Sequence, residues 1–256
     1  MTDRAPGGIL RVRRSTGKGG LSGRAVRGLG RYLIWRDFSE VLQEGPVSEP
    51  SPDSPVLYLA NHSTWWDGFL MLRVHQRLRA GPLLTVIDAD QLRRYPALRA
   101  AGGVELDPRS VASMKYLLRG LSTLAVPGLG VSLFPQGKIH SSRRRPLGFR
   151  RGLEGVARAL GSPTIVPVAM HVEPLNRRRP TAFVLVGRPY SWIGSYGAAE
   201  AEYRVTGLLD ALLEDIDRFG EDVRVGWSPR MRQFLEAPGT RPSAGPAAVA
   251  DRRRDS

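Results

Sequence analysis

The chain has 256 residues, 41% of them hydrophobic, enough to bury one substantial core without a second domain. It contains no cysteine, which excludes disulfides and thiolate metal sites and fits a reducing compartment. Lys and Arg outnumber Asp and Glu by 38 to 24, a net +14, so the partner to look for is an anion: nucleic acid, lipid headgroups, a phosphorylated substrate or an acidic carrier protein.

Residues 1–23, rich in Gly, Arg and Ser, read as a disordered basic arm. They carry no seven-residue apolar core of the kind a signal peptide needs. Ser15-Thr16-Gly17-Lys18-Gly19-Gly20 lacks the spacing of a phosphate loop. Residues 24–44 read as an amphipathic helix, with Val26, Leu29, Leu33 and Val41 on one arc and Arg24, Arg27 and Arg31 on the opposite one. Such a helix either lies on an anionic bilayer with Tyr32 and Trp35 near the headgroups, or packs on the core with its basic face in water.

Residues 45–236 form the expected main domain, opening with a Pro/Ser-rich loop at 45–54. Beyond it strands are expected at 56–60, 83–87, 103–106, 131–134, 164–171 and 182–187, and helices at 66–79, 90–99, 110–125, 148–160 and 200–219. The alternation predicts an α/β fold, a mostly parallel mixed sheet flanked by helices. Residues 237–256 read as a disordered tail. No window approaches the ~20 apolar residues of a spanning helix, so the expected location is cytoplasmic, peripheral on the inner face of the membrane.

Chemistry concentrates in Asn61-His62-Ser63-Thr64-Trp65-Trp66-Asp67-Gly68, at the end of the apolar run 55–60. An imidazole takes a proton at neutral pH, and a carboxylate on its other nitrogen fixes the tautomer and stabilises the cation. Five residues apart, two side chains point ~140° apart on a helix and to opposite faces of a strand. His62 and Asp67 therefore meet only across a strand-to-helix junction, with Ser63 and Thr64 as candidate N-caps. Neighbouring side chains diverge, so Ser63 is not assigned as a nucleophile; the attacking group is then a hydroxyl of the substrate.

Three further segments follow in order: Gly102-Gly103-Val104-Glu105-Leu106-Asp107-Pro108-Arg109, Val131-Ser132-Leu133-Phe134-Pro135-Gln136-Gly137-Lys138 and Thr164-Ile165-Val166-Pro167-Val168-Ala169-Met170. With the first, they resemble the four sequence blocks of the glycerolipid acyltransferases, whose best-known bacterial members are the 1-acylglycerol-3-phosphate acyltransferases. The resemblance spans about residues 55–170. It implies an acyl thioester donor, acyl-CoA or acyl carrier protein, and direct transfer to a lipid acceptor, with His62 as base, Asp67 as its orienting partner, no covalent acyl-enzyme and no cofactor. Backbone amides of the turn at Gln136 and Gly137 are the candidate oxyanion donors.

The third block usually reads Phe-Pro-Glu-Gly-Thr-Arg-Ser, and its basic residue is implicated in binding the acceptor's phosphate. Here Gln136, Lys138, Ile139 and His140 replace Glu, Thr, Arg and Ser, and Pro108 separates Asp107 from Arg109. Arg109, Lys138 and Arg143 are the candidate displaced phosphate cradle; alternatively the acceptor is a hydroxylated lipid, a glycolipid or an amine without phosphate. His75 and His171 read as structural, His140 as a solvated loop residue, and Trp65 and Trp66 as core or the wall of an acyl tunnel. Four scattered histidines supply no metal-ligand spacing. Nucleic-acid binding rests on net charge alone, since the basic clusters lack interleaved aromatics. A catalytically silent lipid-binding relative is disfavoured by the intact His62/Asp67 pair and kept open by Gln136.

Overall fold

The computed structural model describes residues 21–45, 54–79, 81–124, 126, 128–161, 163–193 and 197–223. Residues 1–20, most of the expected basic arm, and the expected tail lie outside them. The chain order is α1 (Leu21–Asp37), β1 (Glu40–Glu44), β2 (Val56–Ala60), α2 (Asp67–Leu78), β3 (Leu83–Asp88), α3 (Ala89–Arg94), β4 (Gly103–Leu106), α4 (Val111–Ser122), β5 (Gly130–Leu133), α5 (Gly152–Ala159), β6 (Thr164–Glu173), β7 (Thr181–Val186), β8 (Tyr190–Ser191) and α6 (Ala198–Phe219). The helix expected at 90–99 divides into α3 and a 3₁₀ turn, Pro96–Arg99. Proline fixes its own φ and disfavours helical geometry in Tyr95 before it.

The strands form one mixed sheet ordered β1-β7-β6-β2-β5-β3-β4, with β8 also on β6. β2, β3, β4, β5 and β6 run parallel to their neighbours, while β7 and β8 are antiparallel to β6 and β1 is parallel to β7. This is the mostly parallel α/β sheet that the alternation predicts. Pro167 sits where β6 passes from β8 to β7 as partner, and its carbonyl accepts the Gly187 N–H at 2.8 Å. A residue without an N–H is tolerated at such an interruption.

One expectation is corrected. Residues 24–44 are not a single helix: α1 ends at Asp37, and Glu40–Glu44 adds the edge strand β1 to the sheet. Phe38 turns inward and is buried, and the Ser39 N–H bonds the Pro180 carbonyl at 3.0 Å, which starts the pairing with β7. Tertiary pairing overrides the helical arc that included Val41. The domain therefore begins before residue 45.

Strand side chains alternate between two layers. Val56, Tyr58 and Ala60 of β2 face α1 and α2, where Phe38, Leu70, Met71 and Val74 cover them. Leu57 and Leu59 face the opposite layer, filled by Leu117 and Leu121 of α4, Leu153 and Val156 of α5 and Leu208, Leu209 and Leu212 of α6. Both faces of β2 are thus buried, which is why it reads as an unbroken apolar run. Truncating one of these leucines to Ala costs roughly 2–5 kcal/mol. No helix of the described residues is long and apolar enough to cross a membrane.

Candidate active site

The site forms where β2 ends and α2 begins. Asn61 prolongs β2 with its side chain: its Nδ2 donates to the Met170 carbonyl at 2.8 Å, and its Oδ1 accepts the Met170 N–H at 2.8 Å. The main chain then leaves the sheet through His62 to Trp66. His62 and Asp67 do meet across this junction, Nδ1 to Oδ2 at 2.8 Å. Asp67 is fully buried, whereas the His62 side chain keeps 22% of its surface exposed.

Asp67 accepts four hydrogen bonds. Its Oδ2 takes His62 Nδ1, the Ser63 N–H at 2.7 Å and the Thr64 N–H at 2.9 Å, and its Oδ1 takes the Thr64 hydroxyl at 2.6 Å. Of the two expected caps, Thr64 accepts the Trp66 N–H on its hydroxyl at 3.2 Å and Ser63 accepts nothing; Trp66 is the N-cap residue itself, and Asp67, the first helical residue, reaches back to both amides. A carboxylate has no proton to give, so Nδ1 carries the imidazole hydrogen and Nε2 presents a lone pair. The Ser63 hydroxyl is buried without a hydrogen-bond partner, the imidazole included.

The turn after β5 holds His62 from the other side. Phe134 stacks on the imidazole with ring centroids 4.5 Å apart. The His62 N–H donates to Gln136 Oε1 at 2.6 Å, and the His62 carbonyl accepts the His140 N–H at 2.9 Å. Because the donor at Gln136 is a backbone N–H, the amide oxygen must face it, and the NH₂ faces away. That NH₂ has no partner among the described residues, although Gln136 is only 4% exposed. The Gly137 amide, a candidate oxyanion donor by sequence, is engaged by the Phe134 carbonyl at 3.0 Å. Gly137 adopts φ +70°, and a Cβ there would lie 2.9 Å from the Arg150 guanidinium carbon, so glycine lets Arg150 lie over the turn.

Of the three cations expected to cradle a phosphate, two are turned to carboxylates. Arg109 is turned to Asp107 and Asp90, each at 3.4 Å, and Arg143 to Asp217 of α6 at 2.9 Å. The expected trio is therefore not assembled, because two of its members already have carboxylates. Lys138 instead shares the turn with Arg144 and Arg150, and these act on His140 together with His62. The His140 imidazole is held below its ordinary range by desolvation first, then by Arg144, Lys138 and Arg150. Arg144 also lies against its ring at 2.9 Å, so this half-buried loop histidine has a cation for a neighbour. The loop is moored to the sheet through Ser142, whose hydroxyl meets His171 Nδ1 at 2.8 Å, with His171 Nε2 on Glu173 at 3.0 Å.

Trp66 packs edge-on against Phe38 at 5.6 Å, inside the core, while Trp65 stays 42% exposed between Phe69 and Tyr95. Asn61, Thr64, the Gln136 side chain and Arg150 were not singled out by sequence reasoning as site residues. Their only signal was membership of the motif segments and of the basic cluster after the turn.

The acyltransferase family model matches residues 40–171, just over half of the chain. The chain belongs to the acyltransferase family. The matched span of this acyltransferase starts with β1 and ends at His171, so it takes in His62, Asp67 and the Gln136 turn. In fold the acyltransferase is similar to the crystal structure of the 1-acyl-sn-glycerophosphate (LPA) acyltransferase PlsC from Thermotoga maritima. The TM-score is 0.53 at 20% identity, over 76% of this chain and 79% of that one. No curated protein matches it in sequence.

Proposed function

We propose that the protein moves a fatty acyl group from an acyl thioester, carried by coenzyme A or acyl carrier protein, to a hydroxyl of a lipid acceptor, with His62 as general base. The observation that carries this reading is the 2.8 Å bond between His62 Nδ1 and a fully buried Asp67 that accepts three further hydrogen bonds, which leaves Nε2 as the basic atom of a partly open site. Nε2 takes the proton of the acceptor hydroxyl as its oxygen attacks the thioester carbonyl carbon. The imidazolium is stabilised by Asp67, and collapse of the tetrahedral adduct breaks the carbon–sulfur bond and returns the proton to the departing thiolate. The Ser63 hydroxyl makes no hydrogen bond to His62, so the proposed transfer proceeds without an acyl-enzyme.

The negative oxygen of the adduct needs donors that point where its charge develops. The Gly137 amide is engaged, whereas the Gln136 backbone N–H makes no hydrogen bond among the described residues, so that N–H and the unpartnered side-chain NH₂ of Gln136 take that role. A carboxylate in its place, as the resemblance leads one to expect, accepts the His62 N–H equally well but has no hydrogen to donate. Lys138, Arg144 and Arg150 favour a phosphorylated acceptor such as a lysophospholipid. The exposed Ile139, where the family carries a basic residue, favours the second reading, an acceptor without phosphate.

The deciding experiment is acyl transfer from radiolabelled acyl-CoA and acyl carrier protein to a panel of lysolipids and neutral hydroxylated lipids. Wild type is compared with His62→Ala. Labelled product that depends on His62 supports the assignment; equal turnover by a folded His62→Ala variant removes it.

A further inference from the structure

We propose that the groove between α1, β1 and α2 is a binding site for one anionic phospholipid of a membrane surface, separate from the acyl-transfer centre. The groove has a volume of about 690 Å³. Its floor is aliphatic and aromatic, from Ile34 on α1 and Phe69 and Leu72 on α2, and Gly30 brings the two helices together against Phe69 and Leu72. Its rim carries four arginines, Arg31, Arg73, Arg77 and Arg179, against one acid, Glu40. That acid also lies 3.7 Å from Arg177.

The four arginines divide by role. Arg77 donates to the Gln43 carbonyl at 3.1 Å, and Arg179 to the Trp35 carbonyl at 2.9 Å, so both tie the walls of the groove together. Arg31 and Arg73 are exposed and make no hydrogen bond or ion pair among the described residues. They form the vacant half of the charge. Trp35, 69% exposed, and Tyr32, 52% exposed, stand together with ring centroids 6.0 Å apart. Amphipathic rings of this kind settle at the headgroup level of a bilayer.

Unpaired guanidinium groups above an apolar floor, flanked by exposed tryptophan and tyrosine, match a phosphate head on an acyl chain. They do not match a nucleic acid, whose sugar and base edges gain nothing from Ile34 and Leu72. The occupant also has a geometric effect. The groove runs along α2, and Asp67 opens that same helix, so a lipid seated there sets the orientation of the His62 site to the bilayer.

The test uses the full chain and vesicles of phosphatidylcholine with and without phosphatidylglycerol, in the absence of acyl donor, so its outcome is independent of the acyl-transfer assignment. Wild type is expected to partition onto the anionic vesicles, with a blue shift of emission that Trp35→Phe diminishes. The double variant Arg31→Ala/Arg73→Ala is expected to bind roughly 30-fold more weakly, from ~1 kcal/mol per arginine. Arg119→Ala/Arg158→Ala, the same loss of charge on α4 and α5 across the sheet, is expected to change binding by about twofold or less. Equal weakening by the two double variants, equal binding to neutral vesicles, or salt-sensitive binding of duplex DNA without vesicle binding overturns the proposal.

Discussion

Two histidines are fixed to opposite ends of α2, His62 through the Asp67 carboxylate that opens the helix and His75 in its last turn, and they are treated in opposite ways. At the N-terminal end His62 has a buried carboxylate on Nδ1 and an open side. At the C-terminal end His75 is 1% exposed, its Nδ1 accepts from the Tyr58 hydroxyl at 3.0 Å, and its Nε2 donates to the Gly81 carbonyl at 3.2 Å. Burial pushes the His75 imidazole down to about 4. A carboxylate stabilises an imidazolium, whereas at His75 burial first, with Arg79 nearby, favours the neutral ring against the opposing pull of the Gly81 carbonyl. One helix therefore holds a carboxylate-bound, partly open histidine at its entry and a sealed one in its last turn, and the difference lies in burial and partners, not in the residue type.

The sharpest way to break this comparison is to remove the base. His62→Ala and Asp67→Asn are each expected to lower acyl transfer by roughly 10²–10⁴-fold with the circular-dichroism spectrum and melting temperature retained. His75→Gln, by contrast, is expected to leave turnover within about threefold. A comparable loss of turnover in all three variants erases the distinction.

Gln136→Glu tests the next largest effect. The substitution keeps an acceptor for the His62 N–H and deletes the NH₂ donor, so kcat is expected to fall by roughly 10²–10³-fold at unchanged melting temperature. Unchanged kcat assigns Gln136 to positioning alone.

Acid titration separates the two histidines by stability. Above pH ~6.5 His75 is neutral in folded and unfolded chains alike, but between pH ~6.5 and ~4 only the unfolded chain takes up the proton. Stability is therefore expected to fall as pH drops through that window, by up to about 3 kcal/mol from this group. Denaturant melts at pH 7 and pH 4.5 measure the loss, and a His75→Gln variant is expected to flatten it.

The smallest effect concerns the acceptor. Lys138→Ala and Arg150→Ala are expected to raise KM for a phosphorylated acceptor by about ten- to a hundredfold. Arg109→Ala and Arg143→Ala, already matched with carboxylates, are expected to leave it within about twofold. Silence of all four variants, together with better turnover of a neutral lipid, selects the acceptor without phosphate.

Local pattern explains what was legible in the sequence. The strand at Val56–Ala60 and the one at Gly103–Leu106 were expected at those bounds, because a strand covered on both sides or closed by glycines leaves a sharp signal. The His62–Asp67 bond was legible for the same reason: its residues are five apart and only one local geometry joins them. The edge strand Glu40–Glu44 was not, since its partner lies some 140 residues away and its own residues fit a helical arc. Asn61 and Gln136 were equally hidden, bonding across 109 and 74 residues. The cradle of Arg109, Lys138 and Arg143 drew on nearness in sequence, and carboxylates on distant elements, such as Asp217, decide which arginines are spent.

Asn61 has a consequence for which substitutions the chain can accept. Its amide imitates one peptide unit, giving Met170 a donor and an acceptor at 2.8 Å each, so the sheet gains a rung while the main chain is released toward the helix. No other side chain of that length carries both functions. Asp offers two acceptors to a carbonyl, Leu offers neither, and Ser reaches only one partner. Position 61 is thus the point where the main chain leaves the sheet without losing its rung, so the residue after it, His62, starts from a fixed backbone position set by a side chain that takes no part in the bond to Asp67.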